Sequence, residues 1–429
     1  MTSLTALMLI SFLVMVLIGV PITFATGSAV MFYLVLGGEI PGTLLVQRMY
    51  NSSVSFTMLA VPLFIIAGEL MNKAGITKRI VRLSSALMGH IRGSLAHVTI
   101  LASMIFAGMS GSSVAAASSV GGMMIPAMKE DGYDAGFSAA LTACSATMGP
   151  IIPPSIAFII YSSITGDSVG KLFLGGVIPG IIMGLSLMVI AYIIAKKRNY
   201  PIHERSSAAE KISAVRGSVL AVMMPVIILG GIMSGIFTST EAGAVGLLYG
   251  LLVGLLTKEL PLKEIPSVLI NGALTSASIM YIIATSQALG WLLTIARLPQ
   301  ALVAFLAGLT SNSTLIIFII LGTLLIMGCF LVDTAMITIM TPLFIPIVQQ
   351  YGIDPIQFGV VMVMMTTVGG ITPPVGNLLF VASGISGTPV LNTAKAMIPF
   401  ACALLFSMAI CTLFPPLVTF LPNLFGKTL

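Results

Sequence analysis

The hydrophobic positions predict membrane-spanning helices along nearly the whole chain. A spanning helix needs about 20 mostly apolar residues, and windows of that kind recur between short stretches of charge, proline and glycine. The apolar windows lie at 4–20, 23–38, 54–72, 94–128, 137–165, 173–195, 217–237, 242–257, 267–295, 299–348, 358–386 and 396–421. The longest hydrophilic stretch, 196–216, divides them into two sets of six. This pattern predicts an all-α polytopic membrane protein.

Two windows in corresponding places are too long for one helix. Window 94–128 is broken at Gly108-Met-Ser-Gly-Ser-Ser113, and the part of the later window at 315–348 is broken at Gly328-Cys-Phe-Leu-Val-Asp333. A helix–turn–helix that enters and leaves on the same side of the membrane fits each of them. We therefore predict two re-entrant hairpins.

Two further windows are each interrupted by a pair of prolines. Pro153-Pro154 falls within 137–165, and Pro373-Pro374 falls within 358–386. Paired prolines cannot continue a helix, and the backbone groups they free are tolerated in lipid only beside protein or a cavity. The sequence therefore predicts two discontinuous helices.

The interruptions recur at a constant offset of 220 residues, without an insertion over some 70 positions. The matched positions are Gly108/Gly328, Ala115/Ala335, Ile125-Pro126/Ile345-Pro346, Gly132/Gly352, Asp134/Asp354, Gly149/Gly369, Pro153-Pro154/Pro373-Pro374 and Ile178-Pro179/Ile398-Pro399. This register indicates a duplicated transporter core.

The repeat divides the chain into two scaffold parts and two transport parts. Repeat 1 has scaffold helices with an amphipathic connector at 1–93 and a transport part at 94–195. The stretch 196–216 is then a cytoplasmic linker. Repeat 2 has scaffold helices at 217–298 and a transport part at 299–429.

Charge is scarce and unevenly distributed. Charged residues make up 7% of the chain and hydrophobic residues 57%, against roughly 25% charged in a soluble domain. This excludes a soluble enzyme, a nucleic-acid-binding domain and a secreted disulfide scaffold. The first charged residue is Glu39.

The basic residues predict the orientation of the repeats. If 196–216 is cytoplasmic and a hairpin counts as no crossing, each half has five crossings, so the repeats are inverted. Of 19 Lys and Arg residues, only four fall outside, namely Arg48, Lys171, Arg297 and Lys427. The other 15 lie inside, as the positive-inside rule requires, and both termini are periplasmic. The net charge of +6 then reflects topology and not an anionic partner.

Broken helices at matching places predict a substrate and ion site near the midplane. The end of a half-helix offers carbonyls to Na⁺, and the start of the next offers N–H groups to a carboxylate. Ser110, Ser112 and Ser113 add hydroxyls at the first tip, and Thr372 adds one at the second break. Close helix packing by small residues is the alternative. We prefer packing for Ala115, Ala116, Ser118 and Ser119, and function for the Gly-Ser-Ser tip.

Of the acidic residues considered, one is a candidate for function, and the others have structural or solvated roles. Asp333 lies at the second hairpin tip, and an ionisable residue at membrane depth is a functional candidate by default. Its alternative role is to cap the second half-helix. Glu241 has capping-box spacing from Thr238. We expect Glu69, beside Asn72 and Lys73, to be solvated or paired.

Several kinds of chemistry find no support in the sequence. His90, His97 and His203 share no metal-ligand spacing, the four cysteines form no C-x-x-C pair, and no Walker or nucleophile-elbow motif is present. We expect no enzyme activity, no ATP and no organic cofactor.

Four segments together resemble a known transporter family over essentially the whole chain. They are Val61-Pro-Leu-Phe-Ile-Ile-Ala-Gly-Glu69, Ser110-Gly-Ser-Ser-Val-Ala-Ala-Ala117, Gly149-Pro-Ile-Ile-Pro-Pro-Ser155 and Gly369-Gly-Ile-Thr-Pro-Pro374. The chain resembles the large membrane subunit of tripartite ATP-independent periplasmic (TRAP) transporters. It looks closest to the sialic-acid or C4-dicarboxylate type, standing alone and not fused to its small partner.

The resemblance implies a Na⁺-coupled importer of an organic acid in the bacterial inner membrane, working by an elevator motion. It also implies two separate partner proteins, a small four-helix membrane subunit and a periplasmic substrate-binding protein. Carried over by position, one Na⁺ site comprises Gly108, Ser110, Gly149 and Ile152. A second Na⁺ site comprises Gly328, Asp333, Gly369 and Thr372. Substrate lies near Ser110, Ser112, Ser113, Ser155, Asp333 and Asn377.

Three alternatives remain open at this stage. The runner-up is a citrate- or dicarboxylate-type sodium symporter that works without a binding protein. The others are a passive channel and, least favoured, an intramembrane enzyme.

Overall fold

The computed structural model describes residues 3–36 and 40–425, so Glu39 and Lys427 lie outside the described residues. The helices of the first half are α1 (Ser3–Leu17), α2 (Ile22–Val35), α3 (Gly42–Ser53), α4 (Ala60–Lys73), α5 (Ile76–Met88), α6 (Ser94–Ser110), α7 (Ser113–Glu130), α8 (Ala135–Ala146), α9 (Ile156–Thr165) and α10 (Val169–Lys197). A single 3₁₀ turn, Thr57–Leu59, leads into α4.

The second half is also helical throughout. Its helices are α11 (Ala208–Met233), α12 (Ser239–Leu256), α13 (Ile265–Ile295), α14 (Leu298–Leu309), α15 (Ser313–Gly328), α16 (Asp333–Gln350), α17 (Pro355–Gly369), α18 (Asn377–Ser386), α19 (Val390–Leu413) and α20 (Pro416–Phe425). The described residues contain no β-strand, and the all-α prediction is confirmed.

The helix boundaries follow the 220-residue offset of the sequence. Helices α7 and α16 begin and end at positions 220 apart, and both follow a short break after α6 and α15. Helices α8 and α9 are separated by the first Pro-Pro segment, and α17 and α18 by the second. Both Pro-Pro peptide bonds are cis. The two halves thus place their breaks at equivalent points.

Two aspartates 220 residues apart fix where the broken helices begin. The Asp134 carboxylate accepts the N–H of Phe137 at 2.9 Å, and the Asp354 carboxylate accepts the N–H of Gln357 at 2.9 Å. A side-chain acceptor at this position satisfies one of the free N–H groups at a helix start. The same cap therefore sets the register of both broken helices.

Some boundaries differ from the sequence expectation. Residues 42–53 form α3, which no apolar window predicted, and window 299–348 contains three helices, α14 to α16. The linker is shorter than 196–216 because α11 already begins at Ala208. There Ser207 and Glu210 form a capping box, with the Ser207 N–H donating to Glu210 at 2.7 Å.

Within the described residues, five helices are long and apolar enough to cross a bilayer alone: α10, α11, α12, α13 and α19. A sixth span arises if α3 and α4, bent by 58°, are taken together. Helices α1 and α2 have 15 and 14 residues, which is about 22 Å at 1.5 Å per residue. Ten crossings remain a prediction, because they require these short helices and the broken helices to cross as well.

The helices pack as two groups in contact. Helix α4 lies against α12 and α13, while α7, α8, α18 and α19 pack with one another. Helix α5 packs on α6, and α13 packs on α16, which joins the groups. The largest continuous core runs through both groups and includes fully buried Phe106, Phe137 and Phe358. The breaks of the transport parts lie beside this junction.

Polar contacts join neighbouring connecting segments at two ends of the molecule. At one end, Arg79 lies 3.7 Å from Glu259, and Arg198 lies 3.7 Å from Asp134. At the other, the Thr240 hydroxyl donates to the Phe56 carbonyl at 2.7 Å, and the Tyr351 hydroxyl donates to the Thr310 carbonyl at 3.0 Å. Each contact joins two connecting segments that lie on the same side of the membrane if the predicted five crossings per half are counted along the chain.

Candidate functional site

A cavity of about 480 Å³ lies where the two hairpin tips and the two breaks meet helices α4 and α13. One wall belongs to 94–195 and 299–429, the predicted transport parts, and the other to α4 and α13 of the predicted scaffold helices. The polar residues that line it are Glu69, Asn72, Ser110, Ser112, Ser113, Ser118, Ser119, Thr275, Asp333, Thr334 and Asn377. Five of the six residues predicted to lie near substrate are in this set.

Ser155 is the predicted residue that the structure does not bring to the cavity. Its side chain is fully buried, accepts the Phe158 N–H at 3.2 Å and donates to the Pro150 carbonyl. It therefore caps α9 and closes the Pro-Pro turn. Its neighbours Ile156 and Ala157 line the cavity in its place.

The first hairpin tip lies directly on the first break. A Cβ atom on Gly149 would be 2.7 Å from the Ser112 carbonyl oxygen, and one on Gly108 would be 3.4 Å from the Pro153 oxygen. The Ser112 hydroxyl caps α7 by accepting the Ala115 N–H at 3.4 Å. Three residues of the first predicted Na⁺ site, Gly108, Ser110 and Gly149, thus belong to one tip–break contact. Ile152 follows in the same break, with its side chain against Gly180.

The second hairpin tip likewise lies directly on the second break. A Cβ atom on Gly328 would lie 2.7 Å from the Cα of Gly369, and the Val375 N–H donates to the Cys329 carbonyl at 3.0 Å. The Thr372 hydroxyl donates to the Val368 carbonyl at 2.8 Å, so its oxygen still has acceptor capacity. The structure therefore brings together the backbone elements of the second predicted Na⁺ site.

The two hairpin tips also touch each other, through residues at equivalent repeat positions. The Ser113 hydroxyl donates to Asp333 Oδ2 at 3.2 Å, and these residues are 220 apart. Asp333 is only 9% exposed, and its Oδ1 is buried without a hydrogen-bond partner among the described residues. A Cβ on Gly370 would lie 3.4 Å from that oxygen. Asp333 thus offers one free carboxylate oxygen between the second tip and the second break.

Four helices begin at the transport wall of the cavity. Helices α7, α9, α16 and α18 start at Ser113, Ile156, Asp333 and Asn377 respectively, and all four residues line the cavity. Free N–H groups and the partial positive charge of helix N-termini favour bound anions. Asn377 accepts the Leu378 N–H through Oδ1 at 2.8 Å, which leaves its amide N–H₂ free to donate. The capping alternative for Asp333 receives no support, since α16 begins at that residue without a side-chain cap.

The wall formed by α4 and α13 contains residues that the sequence did not predict to belong to the site. Glu69 and Asn72 come from α4, and Thr275 comes from α13. Glu69 was expected to be solvated or paired; it faces the cavity, and no ion pair forms at it among the described residues, where Lys73 lies 3.8 Å from Glu264. Glu69 stands four residues before Lys73, a spacing that favours an ion pair on a helix, so the sequence gives no signal that Glu69 faces the cavity.

The helix-packing alternative holds for part of the small-residue stretch after the first tip. Ala116 is buried, as packing requires. Ala115, Ser118 and Ser119 line the cavity instead. Helix α7 therefore presents one small-residue face to the core and another to the cavity.

The comparisons with known proteins agree in one family. Residues 9–417 match the family described as tripartite ATP-independent periplasmic transporter, DctM component. The chain is 38% identical over 382 residues to the C4-dicarboxylate TRAP transporter large permease protein of Pseudomonas aeruginosa, covering 89% of this chain and 90% of that protein. It is 36% identical over 408 residues to the sialic acid TRAP transporter large permease protein of Vibrio cholerae, covering 95% and 96%.

A solved structure shares the fold at low sequence identity. The Alcanivorax borkumensis YdaH transporter aligns with a TM-score of 0.63 and 12% identity, covering 95% of this chain and 97% of that chain. At this identity the likeness concerns the fold alone. On the extent of the family match and the level of identity to its relatives, the chain belongs to the family of large permease subunits of tripartite ATP-independent periplasmic transporters.

Proposed function

We propose that this chain imports an organic acid with Na⁺ as the coupling ion, by an elevator motion of its transport parts against its scaffold helices. The observation that carries the proposal is the charge of the cavity. Its lining includes two carboxylates, Glu69 and Asp333, and no Lys or Arg among the described residues. Such a cavity repels an anion unless bound cations offset its charge.

Na⁺ is a suitable cation for the atoms that are available. The unpartnered Oδ1 of Asp333, the hydroxyls of Ser110 and Thr372, and the carbonyls of the two breaks are oxygen ligands of the kind that hard cations prefer. Each tip–break contact supplies one group of such oxygens. Two Na⁺ ions, one at each contact, would then flank the cavity and hold each tip on its break.

The substrate anion fits between these cation sites. Its carboxylate would accept hydrogen bonds from the N–H groups at the starts of α7, α9, α16 and α18 and from the hydroxyls of Ser110, Ser112 and Ser113. Because the cations and the helix N-termini lie on the same wall, substrate affinity depends on Na⁺ occupancy. This dependence is the physical basis of coupling.

The elevator motion is suggested by the division of the cavity walls. The proposed ion and substrate contacts lie on the transport parts, whereas α4 and α13 close the cavity from the other side. A transport unit that holds its ligands by itself can slide along the scaffold without releasing them.

The orientation follows from the distribution of basic residues. We place the face that contains Lys73, Arg79 and Arg198 in the cytoplasm, which puts both termini in the periplasm of a bacterial inner-membrane protein. The contacts between connecting segments agree with inverted repeats, since they join segments of the same predicted side.

Two partners and an organic acid complete the proposal. The family description is tripartite and periplasmic, which favours a separate four-helix membrane subunit and a periplasmic binding protein that delivers the substrate. Relatives are described as transporters of sialic acid and of C4-dicarboxylates, so both acids are candidates. The tripartite description disfavours the stand-alone sodium symporter.

The test is uptake in proteoliposomes that contain the chain, its small subunit and its binding protein. We expect uptake of N-acetylneuraminate or succinate that requires an inward Na⁺ gradient and accumulates substrate against its own gradient. Ser110→Ala and Asp333→Asn should abolish uptake with normal expression, whereas the control Glu264→Gln should not.

A separate result would refute each of the coupling, the active transport, the need for partners and the site. Uptake that is indifferent to Na⁺ would refute the coupling, and equilibration without accumulation would indicate a channel. Uptake by the chain alone would favour the stand-alone symporter. Normal uptake by either cavity variant would refute the site.

A further inference from the structure

We propose that Glu69 is a release residue, a scaffold carboxylate that weakens the binding of the substrate anion only while the cavity faces the basic side of the protein. The proposal rests on the proposed function, because it assumes an anionic substrate and a transport unit that moves past α4. It adds a role for a residue outside the ion and substrate contacts described above.

The position of Glu69 places the cavity near one end of the scaffold. Glu69 precedes Lys73 by four residues, about 6 Å along the axis of α4. Lys73 and Glu264 form an ion pair there at 3.8 Å. This is the end where Arg79 and Glu259 also meet. The cavity therefore lies near the basic face, which the positive-inside rule assigns to the cytoplasm.

The charge of Glu69 has no local counterion among the described residues. Lys73, the nearest basic residue along the chain, pairs with Glu264 instead, and no Lys or Arg lines the cavity. Asp333, the other carboxylate, lies on the opposite wall with the Ser113 hydroxyl and the helix N-termini. An anion held on the transport wall thus faces an uncompensated negative charge across the cavity.

The contact beside Glu69 explains why this repulsion would depend on the conformational state. A Cβ on Gly68 would lie 3.3 Å from the Cα of Ser110, so the first hairpin tip lies on α4 one residue from Glu69. Movement of the transport unit along α4 would carry the tip and the substrate away from this carboxylate. A ligand shifts a conformational equilibrium only if it binds the two states with different affinities. Glu69 makes the affinity for the substrate anion lower in the state that faces the basic side, which favours release there.

The experiment measures substrate affinity separately at the two faces of the membrane. The complete transporter, reconstituted with its two partners, is assayed with radiolabelled N-acetylneuraminate and with succinate. The half-saturating concentration of external substrate is determined from Na⁺-driven uptake. The half-saturating concentration of internal substrate is determined from exchange, in which substrate inside the vesicles drives the entry of labelled substrate. Wild type is compared with Glu69→Gln, with the conservative Glu69→Asp, and with the matched control Glu259→Gln, which removes an equal charge at the same end of the scaffold, outside the cavity, and leaves the pair of Lys73 with Glu264 intact.

We expect Glu69→Gln to lower the half-saturating concentration at the inner face about fivefold, which corresponds to about 1 kcal/mol, and to leave the outer value unchanged. Glu69→Asp should behave like wild type, and Glu259→Gln should change neither value. A variant that merely folds poorly would lose maximal rate at both faces without this asymmetry.

Several results would overturn the inference. Equal inner affinities in wild type and Glu69→Gln would remove the release role while leaving the proposed function intact. A changed Na⁺ dependence in Glu69→Gln would show that Glu69 binds the cation instead. If wild type takes up neither acid in response to Na⁺, the proposed function fails, and the release role fails with it.

Discussion

The contact between Gly328 and Gly369 permits a quantitative test of the second hairpin tip. Substitution of Gly328 by Ala would place a Cβ 2.7 Å from the Cα of Gly369. Carbon atoms in ordinary contact are about 3.5–4.0 Å apart, so the tip and the break must separate by about 1 Å. Overpacking of this kind costs about 1–3 kcal/mol.

Gly322 provides the matched control on the same helix. A Cβ on Gly322 meets no atom within 4 Å, so Gly322→Ala adds the same methyl group without a clash. It should stabilise the protein by about 0.5–1 kcal/mol, because glycine is unfavourable inside a helix. The two variants should therefore differ by roughly 1.5–4 kcal/mol in the free energy of unfolding.

Sodium makes the comparison specific for the proposed ion site. If Na⁺ bridges the second tip and the second break, it stabilises the folded protein by about 1.4 kcal/mol at ten times its dissociation constant. The assay is thermal unfolding of the detergent-purified chain in Na⁺ and in K⁺ at equal ionic strength. We expect Gly328→Ala to lose most of the Na⁺-dependent increase in melting temperature and Na⁺-driven uptake, and Gly322→Ala to retain both. An Na⁺ response in Gly328→Ala equal to that of Gly322→Ala would refute the reasoning.

Three further predictions concern polar contacts. Ser113→Ala leaves the buried carboxylate of Asp333 without its hydrogen-bond donor, and unfolding in denaturant should show a loss of about 1–3 kcal/mol. Asp134→Ala and Asp354→Ala each remove a helix cap, and each should cost about 1 kcal/mol by the same measurement; a large cost for only one of them would argue against equivalent roles. Glu264→Gln removes an exposed ion pair and should change stability by less than about 1 kcal/mol.

The sequence predicted the breaks well because chain chemistry sets them locally. Paired prolines end a helix wherever they occur, and an aspartate before a helix acts as a cap through its own side chain, as Asp134 and Asp354 do. The 220-residue register supported the prediction of the breaks more strongly than any single motif does. The tips at 108–113 and 328–333 therefore appear in the structure between α6 and α7 and between α15 and α16.

The parts that sequence reasoning missed depend on packing between distant segments. No local signal indicates that Lys73 pairs with Glu264 and leaves Glu69 facing the cavity. Glu69 is the local neighbour of Lys73 on α4, and Glu264 comes near Lys73 only in the folded protein. Ser155, which the sequence predicts near substrate, lies away from the cavity for a different reason. Its motif was recognised, but the turn folds back so that its hydroxyl is used within the motif.

The hydrogen bond between Ser113 and Asp333 shows how duplication can produce an asymmetric site. The two residues occupy equivalent positions, each the first residue of its helix, and they meet at the junction of the two tips. Two aspartates here would place like charges side by side in a buried site, and two serines would supply no charge for a cation. One of each gives a donor–acceptor pair with a carboxylate oxygen left over. In the proposed scheme the second ion site thus contains a formal charge and the first only neutral oxygens, so Na⁺ should bind more tightly at the second.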